Sequence, residues 1–124
     1  MPDSWHRTVS WITARIEGEI IGGFGLVHGG AAGIEIDRYD LSLGTPPHTT
    51  IIASSGGHPD NCMLVCEVIL HAHPGMTGTD DYRIRADMVY FPAPNNGAVF
   101  STGSIGFGQA LPWNRFDNDV SRLL

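Results

Sequence analysis

The sequence contains no lysine, and all seven of its cationic side chains are arginines. Thirteen aspartates and glutamates outnumber them, so the formal net charge at pH 7 is −6. Domains that bind a nucleic-acid duplex or an anionic membrane surface carry clustered lysine and arginine. The arginines form no such cluster here, so we expect neither nucleic acid nor a membrane as a partner.

Cysteines are few, and long apolar runs are missing. A transmembrane helix needs about 20 apolar residues, which no segment offers, and no signal peptide is visible at the N-terminus. In a strand, the Cα atoms of Cys62 and Cys66 would lie about 13 Å apart, beyond the limit of about 7 Å for a disulfide. We therefore expect free thiols and a location in the reducing cytoplasm.

The length of 124 residues suits one domain with a single core, or a fragment of a domain, covering 1–124. An apolar stripe at helical spacing predicts an N-terminal helix over about 4–16, through Trp5, Val9, Ile12 and Ile16. Sheet and loops are expected over about 19–115. A C-terminal helix begins near 117 and stops at 124 after about two turns, so we expect it to be truncated before its natural end.

Short runs rich in β-branched and aromatic residues predict strands near 19–27, 34–36, 49–53, 62–71, 83–91 and 98–102. The run 62–71 is also compatible with a helix, although its β-branched residues favour a strand. Asn96-Gly97 predicts an antiparallel hairpin over 89–102 that turns at residues 95–97. The expected class is therefore α/β or α+β, with a mixed sheet and flanking helices.

A glycine-rich loop, HGGAAG at residues 28–33, is the first candidate site. Glycine allows the backbone to approach a ligand closely, so we interpret His28, Gly29 and Gly30 as candidate substrate-binding residues. Glu35 follows between two isoleucines. A carboxylate with apolar neighbours is desolvated and suits proton transfer, whereas the alternative is an exposed glutamate on an edge strand.

Histidines form the second set of candidates. In a strand, His71 and His73 would face the same side as Glu67, and two imidazoles with a carboxylate are typical metal ligands. The pair adjoins Pro74 at a strand end, so solvated histidines remain the alternative. Three further histidines lie in predicted loops, and for each of them both a functional and a structural role stay open: His28, His48 and His58.

Four segments in a fixed order carry a family resemblance: GLVHGGAAGIEIDR, LGTPPHTTIIASSGGHPDN, ADMVYFPAPNNGAVFSTGSIGF and DNDVSRLL. Together they cover most of residues 20–124. In these segments the sequence resembles the C-terminal region of the large subunit of N,N-dimethylformamidase and its relatives. The ending, a strand followed by Ser-Thr-Gly-Ser and a helix, also resembles the close of class I glutamine amidotransferase-like domains.

The resemblance implies an amidohydrolase that cleaves small N-alkylated formamides to an amine and formate. It also implies a mononuclear iron held by two tyrosines and a glutamate upstream of the matched region, so we expect no cofactor in this chain. Glu35 matches the acid of the family's G-x-E-x-D stretch and is expected to transfer protons. Expected partners are the remainder of a large subunit or a small subunit.

Without the upstream domains, we expect the chain to be inactive alone. The alternative is a non-catalytic module that supports folding, assembly or ligand binding. A lone piece of a sheet leaves unpaired edges, and such edges favour association into homo-oligomers. Iron content near one equivalent per chain would favour the enzyme, whereas a metal-free, oligomeric and inactive protein would favour the module.

Overall fold

The structure is a computed structural model that describes residues 9–26, 29–64 and 75–123. Its strands are β1 (Thr50–Ser54), β2 (Asp87–Ala93) and β3 (Gly97–Ser101). Its helices are α1 (Phe107–Ala110) and α2 (Asp119–Arg122), with short 3-10 turns at Gly30–Ala32 and Leu41–Leu43 and an irregular turn at Trp113–Phe116. None of the helices in these ranges has the length and apolar character needed to cross a membrane.

The three strands form one antiparallel sheet in the order β1-β2-β3. A small sheet with short helices is compatible with the predicted mixed α/β class. Both strand pairs in the described residues are antiparallel, whereas the sequence predicted a mixed sheet. The antiparallel pairing of β2 with β3 follows from the chain, because they are joined by a tight turn, which cannot connect parallel strands.

The predicted hairpin between β2 and β3 is confirmed. Their register runs from the Val89–Ser101 pair to the Ala93–Gly97 pair, with the amide of Gly97 donating to the carbonyl of Pro94 at 3.3 Å. Asn95 and Asn96 both have a φ of 61°, the positive value that tight hairpin turns require and that asparagine tolerates. Local turn chemistry therefore fixes this register.

A β-bulge in β1 directs the largest buried side chain of the sheet into the core. Ile51 pairs with Val89 and Ala53 with Met88, so Ile52 is the extra residue. Its side chain is fully buried. The core cluster around it draws on both ends of the chain: Val9, Ile12, Ala31, Ile52, Met88, Phe107, Ala110 and Val120.

The helix predicted over 4–16 is wrong for the part that the structure describes. From residue 9 onward the chain makes two tight turns, in which the Ile12 amide donates to the Val9 carbonyl and the Ile16 amide to the Thr13 carbonyl. The Thr13 hydroxyl donates to a backbone carbonyl and competes with helical pairing. Val9 and Ile12 still reach the core, so burial satisfies the apolar stripe without a helix. Residues 4–8 lie outside the described residues.

Two further predicted strands are loops. Residues 19–26 contain no strand, and Gly22 has a φ of 71° that interrupts extended backbone. Within 34–36, Ile36 makes only an isolated bridge to Ser104. Most of the predicted strand 62–71 lies outside the described residues, and its described start makes one bridge, at Met63.

The predicted C-terminal helix is present as α2. The Asn118 side chain caps it by accepting from the Ser121 amide at 3.0 Å, as its residue type favours. The same side chain donates to the carbonyls of Leu111 and Trp113, which ties α2 to the chain before it. Val120 is fully buried and anchors the helix in the core.

Candidate functional site

A cavity of about 740 Å³ opens between three glycine-rich loops. Its walls draw on residues from the segments 19–23, 29–34 and 53–62, together with Met88 of β2 and Phe107 of α1. Six of the wall residues are glycines: Gly22, Gly23, Gly29, Gly33, Gly56 and Gly57. Because glycine has no side chain, these positions leave space and accessible backbone for a small ligand. We call this space the glycine-walled cavity.

The predicted loop at 28–33 forms one wall of this cavity. Gly29 lines it, whereas Gly30 is buried behind the surface. The Ala31 amide donates to the Gly22 carbonyl at 2.9 Å, which joins this loop to the preceding one. Of the candidate substrate-binding residues, Gly29 is therefore at the cavity and Gly30 supports it from behind. His28 lies outside the described residues.

Gly30→Ala is expected to lower the free energy of unfolding by about 2–4 kcal/mol. Gly30 has a φ of +65°, and an added Cβ would lie 2.4 Å from the Gly22 carbonyl oxygen. Gly44 provides the matched control, because its φ is +97° but an added Cβ meets nothing within 4 Å. Urea unfolding should give Gly44→Ala a loss of only about 1–2 kcal/mol. Equal losses in the two variants would show that the loop contact contributes nothing.

Glu35 lies beside the glycine-walled cavity on a strained backbone. Its side chain is exposed and does not line the cavity, although Ile34 does. Its φ is 44°, a left-handed value that costs a non-glycine residue about 1–2 kcal/mol. This value contradicts the predicted strand, in which Glu35 and its isoleucine neighbours would alternate between two faces.

Hydrogen bonds on both sides hold Glu35 in this conformation. The Ser104 hydroxyl donates to the Ile34 carbonyl at 2.6 Å, and the Asp37 amide donates to the Gly103 carbonyl at 2.8 Å. Strain of this kind persists only where the surrounding structure imposes it, and it is concentrated at functional sites. The structure therefore presents the Glu35 carboxylate outward on a fixed segment.

Ser55 and His58 form a hydrogen-bonded pair in the wall of the cavity. The Ser55 Oγ lies 2.6 Å from the His58 Nε2 and accepts from the Ala86 amide at 2.7 Å. His58 is only 8% exposed, and burial lowers its pKa below the usual 6.5. The imidazole is therefore neutral at pH 7, and in the tautomer that carries its proton on Nδ1 the Nε2 accepts from the Ser55 hydroxyl. Sequence reasoning left His58 open and missed Ser55, although the pattern S-G-G-H places both beside a glycine turn.

The other predicted histidine sites have different outcomes. His48 contacts the Pro92 carbonyl at 3.2 Å through Nε2 and packs edge-on against Phe91, which is a structural role. His71, His73 and Glu67 lie outside the described residues, as does Cys66; Cys62 is a free thiol that lines the cavity. The residues described here include no group of three or more His, Cys, Asp or Glu placed to hold a metal, so we derive no reaction step through iron.

A buried carboxylate, unanticipated from the sequence, connects the segments behind the cavity. The Asp87 side chain is completely buried and accepts from the Tyr39 amide at 2.7 Å, the Ser54 hydroxyl at 2.6 Å and the Arg85 Nε at 2.9 Å. Gly103 packs against its backbone so closely that an added Cβ would lie 2.6 Å from the Asp87 carbonyl oxygen. Asp87 therefore holds β1, β2 and the segments that flank Glu35 in one arrangement.

Comparisons with known proteins agree with the resemblance seen in the sequence. The family described as N,N-dimethylformamidase beta subunit-like, C-terminal, matches residues 3–119. The N,N-dimethylformamidase beta subunit of Paracoccus aminophilus is 48% identical over 99% of this chain, and that of Alcaligenes sp is 46% identical over the same share. The chain belongs to the family of N,N-dimethylformamidase beta subunit-like C-terminal domains.

The matched region is a small part of these relatives. The chain spans 16% of the length of each beta subunit. The predicted family is therefore confirmed, and so is the correspondence to the C-terminal part of a larger subunit.

Proposed function

We propose that this chain acts as the C-terminal part of an amidohydrolase that cleaves small N-alkylated formamides to an amine and formate. The observation that carries the proposal is the identity of 48% and 46% to two N,N-dimethylformamidase beta subunits over 99% of the chain. The glycine-walled cavity supports it, because its volume of about 740 Å³ exceeds what a small amide needs.

Within this proposal, Glu35 transfers protons during amide hydrolysis. Its carboxylate is exposed rather than desolvated, so the support comes from its imposed left-handed backbone, which favours a functional role over that of an ordinary surface residue. Gly29, and His28 beside it, contact the substrate from the adjoining loop. The chain on its own supplies these groups only, and the upstream part of the subunit supplies the remaining chemistry.

The surface supports a role inside a larger assembly. Large apolar side chains are widely exposed among the described residues, with Ile20 at 77% and Leu43 at 73%. Burying these side chains against another protein segment would remove apolar surface from water and stabilise the contact. We propose that the remainder of a large subunit, or a small subunit, covers them. We propose further that the chain forms the end of a class I glutamine amidotransferase-like domain. We also propose that it is homo-oligomeric and lies in the cytoplasm.

The purified chain is expected to release no formate from N,N-dimethylformamide above the buffer blank. A chimeric Paracoccus aminophilus beta subunit, in which this chain replaces the matching 16%, is expected to release formate when assembled into the enzyme. The beta subunit without that segment is the control. Chelator-sensitive formate release by the chain alone would contradict the expectation that the chain is inactive without the upstream part of the subunit. An assembled but inactive chimera would contradict the proposed function.

A non-catalytic assembly module is the second candidate, and the exposed apolar side chains favour it. In that case the chimera would assemble and remain active whichever residue occupied position 35. Turnover of a chimera that carries Glu35→Gln therefore distinguishes the two candidate functions.

A further inference from the structure

We propose that Ser55 and His58 form a second reactive site in this chain, a serine nucleophile with its general base that takes the acyl group of a small carboxylic ester. Both residues line the glycine-walled cavity. Nothing in the proposed amide chemistry uses them. The site lies within this chain alone, so its activity is independent of the upstream part of the subunit.

The first support is the geometry between nucleophile and base. A reactive serine needs a base within about 2.6–3.2 Å of its hydroxyl oxygen, and the Ser55 Oγ lies 2.6 Å from the His58 Nε2. His58 is buried, which keeps its ring neutral, and in the tautomer that carries its proton on Nδ1 the Nε2 is available to accept a proton. The Ala86 amide donates to the same Oγ at 2.7 Å and stabilises negative charge as it develops there.

The second support is the backbone that follows Ser55. The amide of the residue after a nucleophilic serine commonly stabilises the oxyanion, and here that residue is Gly56, followed by Gly57. Among the residues that the structure describes, neither of these two amides donates to another backbone carbonyl. An added Cβ at either glycine meets nothing within 4 Å, so a tetrahedral intermediate has room beside them.

Neighbouring serines lack this combination. The Ser54 hydroxyl donates to the buried Asp87 carboxylate at 2.6 Å, and the Ser104 hydroxyl donates to the Ile34 carbonyl at 2.6 Å. A carbonyl oxygen cannot take up the hydroxyl proton, and the Asp87 carboxylate is already held by the Arg85 guanidinium and the Tyr39 amide. Ser55 is the serine of these three that is paired with an imidazole at the cavity.

The reaction proceeds in two balanced steps. The Ser55 oxygen attacks the ester carbonyl carbon as its proton moves to the His58 Nε2, and a tetrahedral oxyanion forms. The bond from the carbonyl carbon to the ester oxygen then breaks, and His58 returns the proton to the departing alcohol. Water attacks the acyl-serine in the same way, with His58 taking its proton, and the carboxylic acid leaves with Ser55 regenerated.

Active-site labelling tests the proposal in the intact chain. A fluorophosphonate probe is expected to modify Ser55, identified by mass spectrometry of the peptide, and p-nitrophenyl acetate to be hydrolysed in the presence of a chelator. Ser55→Ala should abolish both, and His58→Gln should slow hydrolysis by roughly 10²-fold or more. Ser42→Ala is the matched control, because that hydroxyl is exposed, binds Asp40 and lies away from the cavity.

The wild-type labelling result does not depend on how well any variant folds. Absence of probe on Ser55 in the folded wild-type chain would overturn the proposal and leave the pair a structural contact of the loop. Unchanged ester hydrolysis in Ser55→Ala would overturn it as well. Because the assay contains a chelator and uses the chain alone, its failure is distinct from failure of the proposed amide hydrolysis.

Discussion

Glu35→Gln in the full-length beta subunit is expected to lower kcat for formate release by roughly 10²–10⁴-fold, the usual contribution of general acid–base catalysis. Glutamine keeps the size and the hydrogen-bonding capacity of glutamate but cannot take up a proton. The exposed position of the side chain predicts that folding stays unchanged. Formate release by the assembled chimera, compared with the chimera that carries the substitution, measures the effect.

Two further variants separate catalysis from backbone strain. Glu17→Gln removes the charge of another exposed glutamate away from the cavity and should leave kcat unchanged. Glu35→Gly should relieve the left-handed backbone and raise the free energy of unfolding by about 1 kcal/mol, while it also abolishes proton transfer. Turnover of Glu35→Gln near that of the wild type would leave Glu35 as a surface residue and favour the assembly module.

The parts of the fold that the sequence predicted well are set by neighbouring residues. The hairpin depends on Asn95 and Asn96, whose tolerance of a positive φ acts within the turn itself. The cap of α2 depends on Asn118 and the amide of Ser121, three residues away. Such features need no information about distant segments, and the structure reproduces them.

The errors arise where distant segments override local preference. The apolar stripe of the N-terminal segment predicted a helix, but Val9 and Ile12 reach the core through tight turns. The alternation predicted for 34–36 fails because Ser104, 70 residues away, fixes the Ile34 carbonyl and with it a left-handed Glu35. Periodicity records which residues are apolar, whereas the backbone path depends on which partners they meet.

In the candidate site too, the features set by the local sequence could be predicted and those set by distant segments could not. Its glycines were visible as composition, and Gly29 lines the cavity as the loop predicted. The polar groups were harder to find, because the Ala86 amide that binds Ser55 comes from a segment 31 residues later. Asp87 joins three separate segments, and no local pattern identifies which of 13 acids will be buried.

Asp87→Ala is expected to lower the free energy of unfolding of the chain by about 3–5 kcal/mol, the usual cost of removing one partner of a buried ion pair. The carboxylate is completely buried, so its loss leaves the Arg85 guanidinium without its partner at 2.9 Å. The Tyr39 amide and the Ser54 hydroxyl also lose their acceptor. These donors are partly buried, so water restores their hydrogen bonds only in part and their loss adds to the cost.

Urea unfolding followed by circular dichroism measures this loss. Asp60→Ala is the control, because that carboxylate also accepts from two hydroxyl groups, those of Thr77 and Thr79, but lies at the surface. Its loss should cost about 1 kcal/mol, since water can take over the freed donors. A similar small effect for both aspartates would mean that the buried network does not hold β1 to β2. In that case the arrangement of Glu35 beside the cavity would need another support.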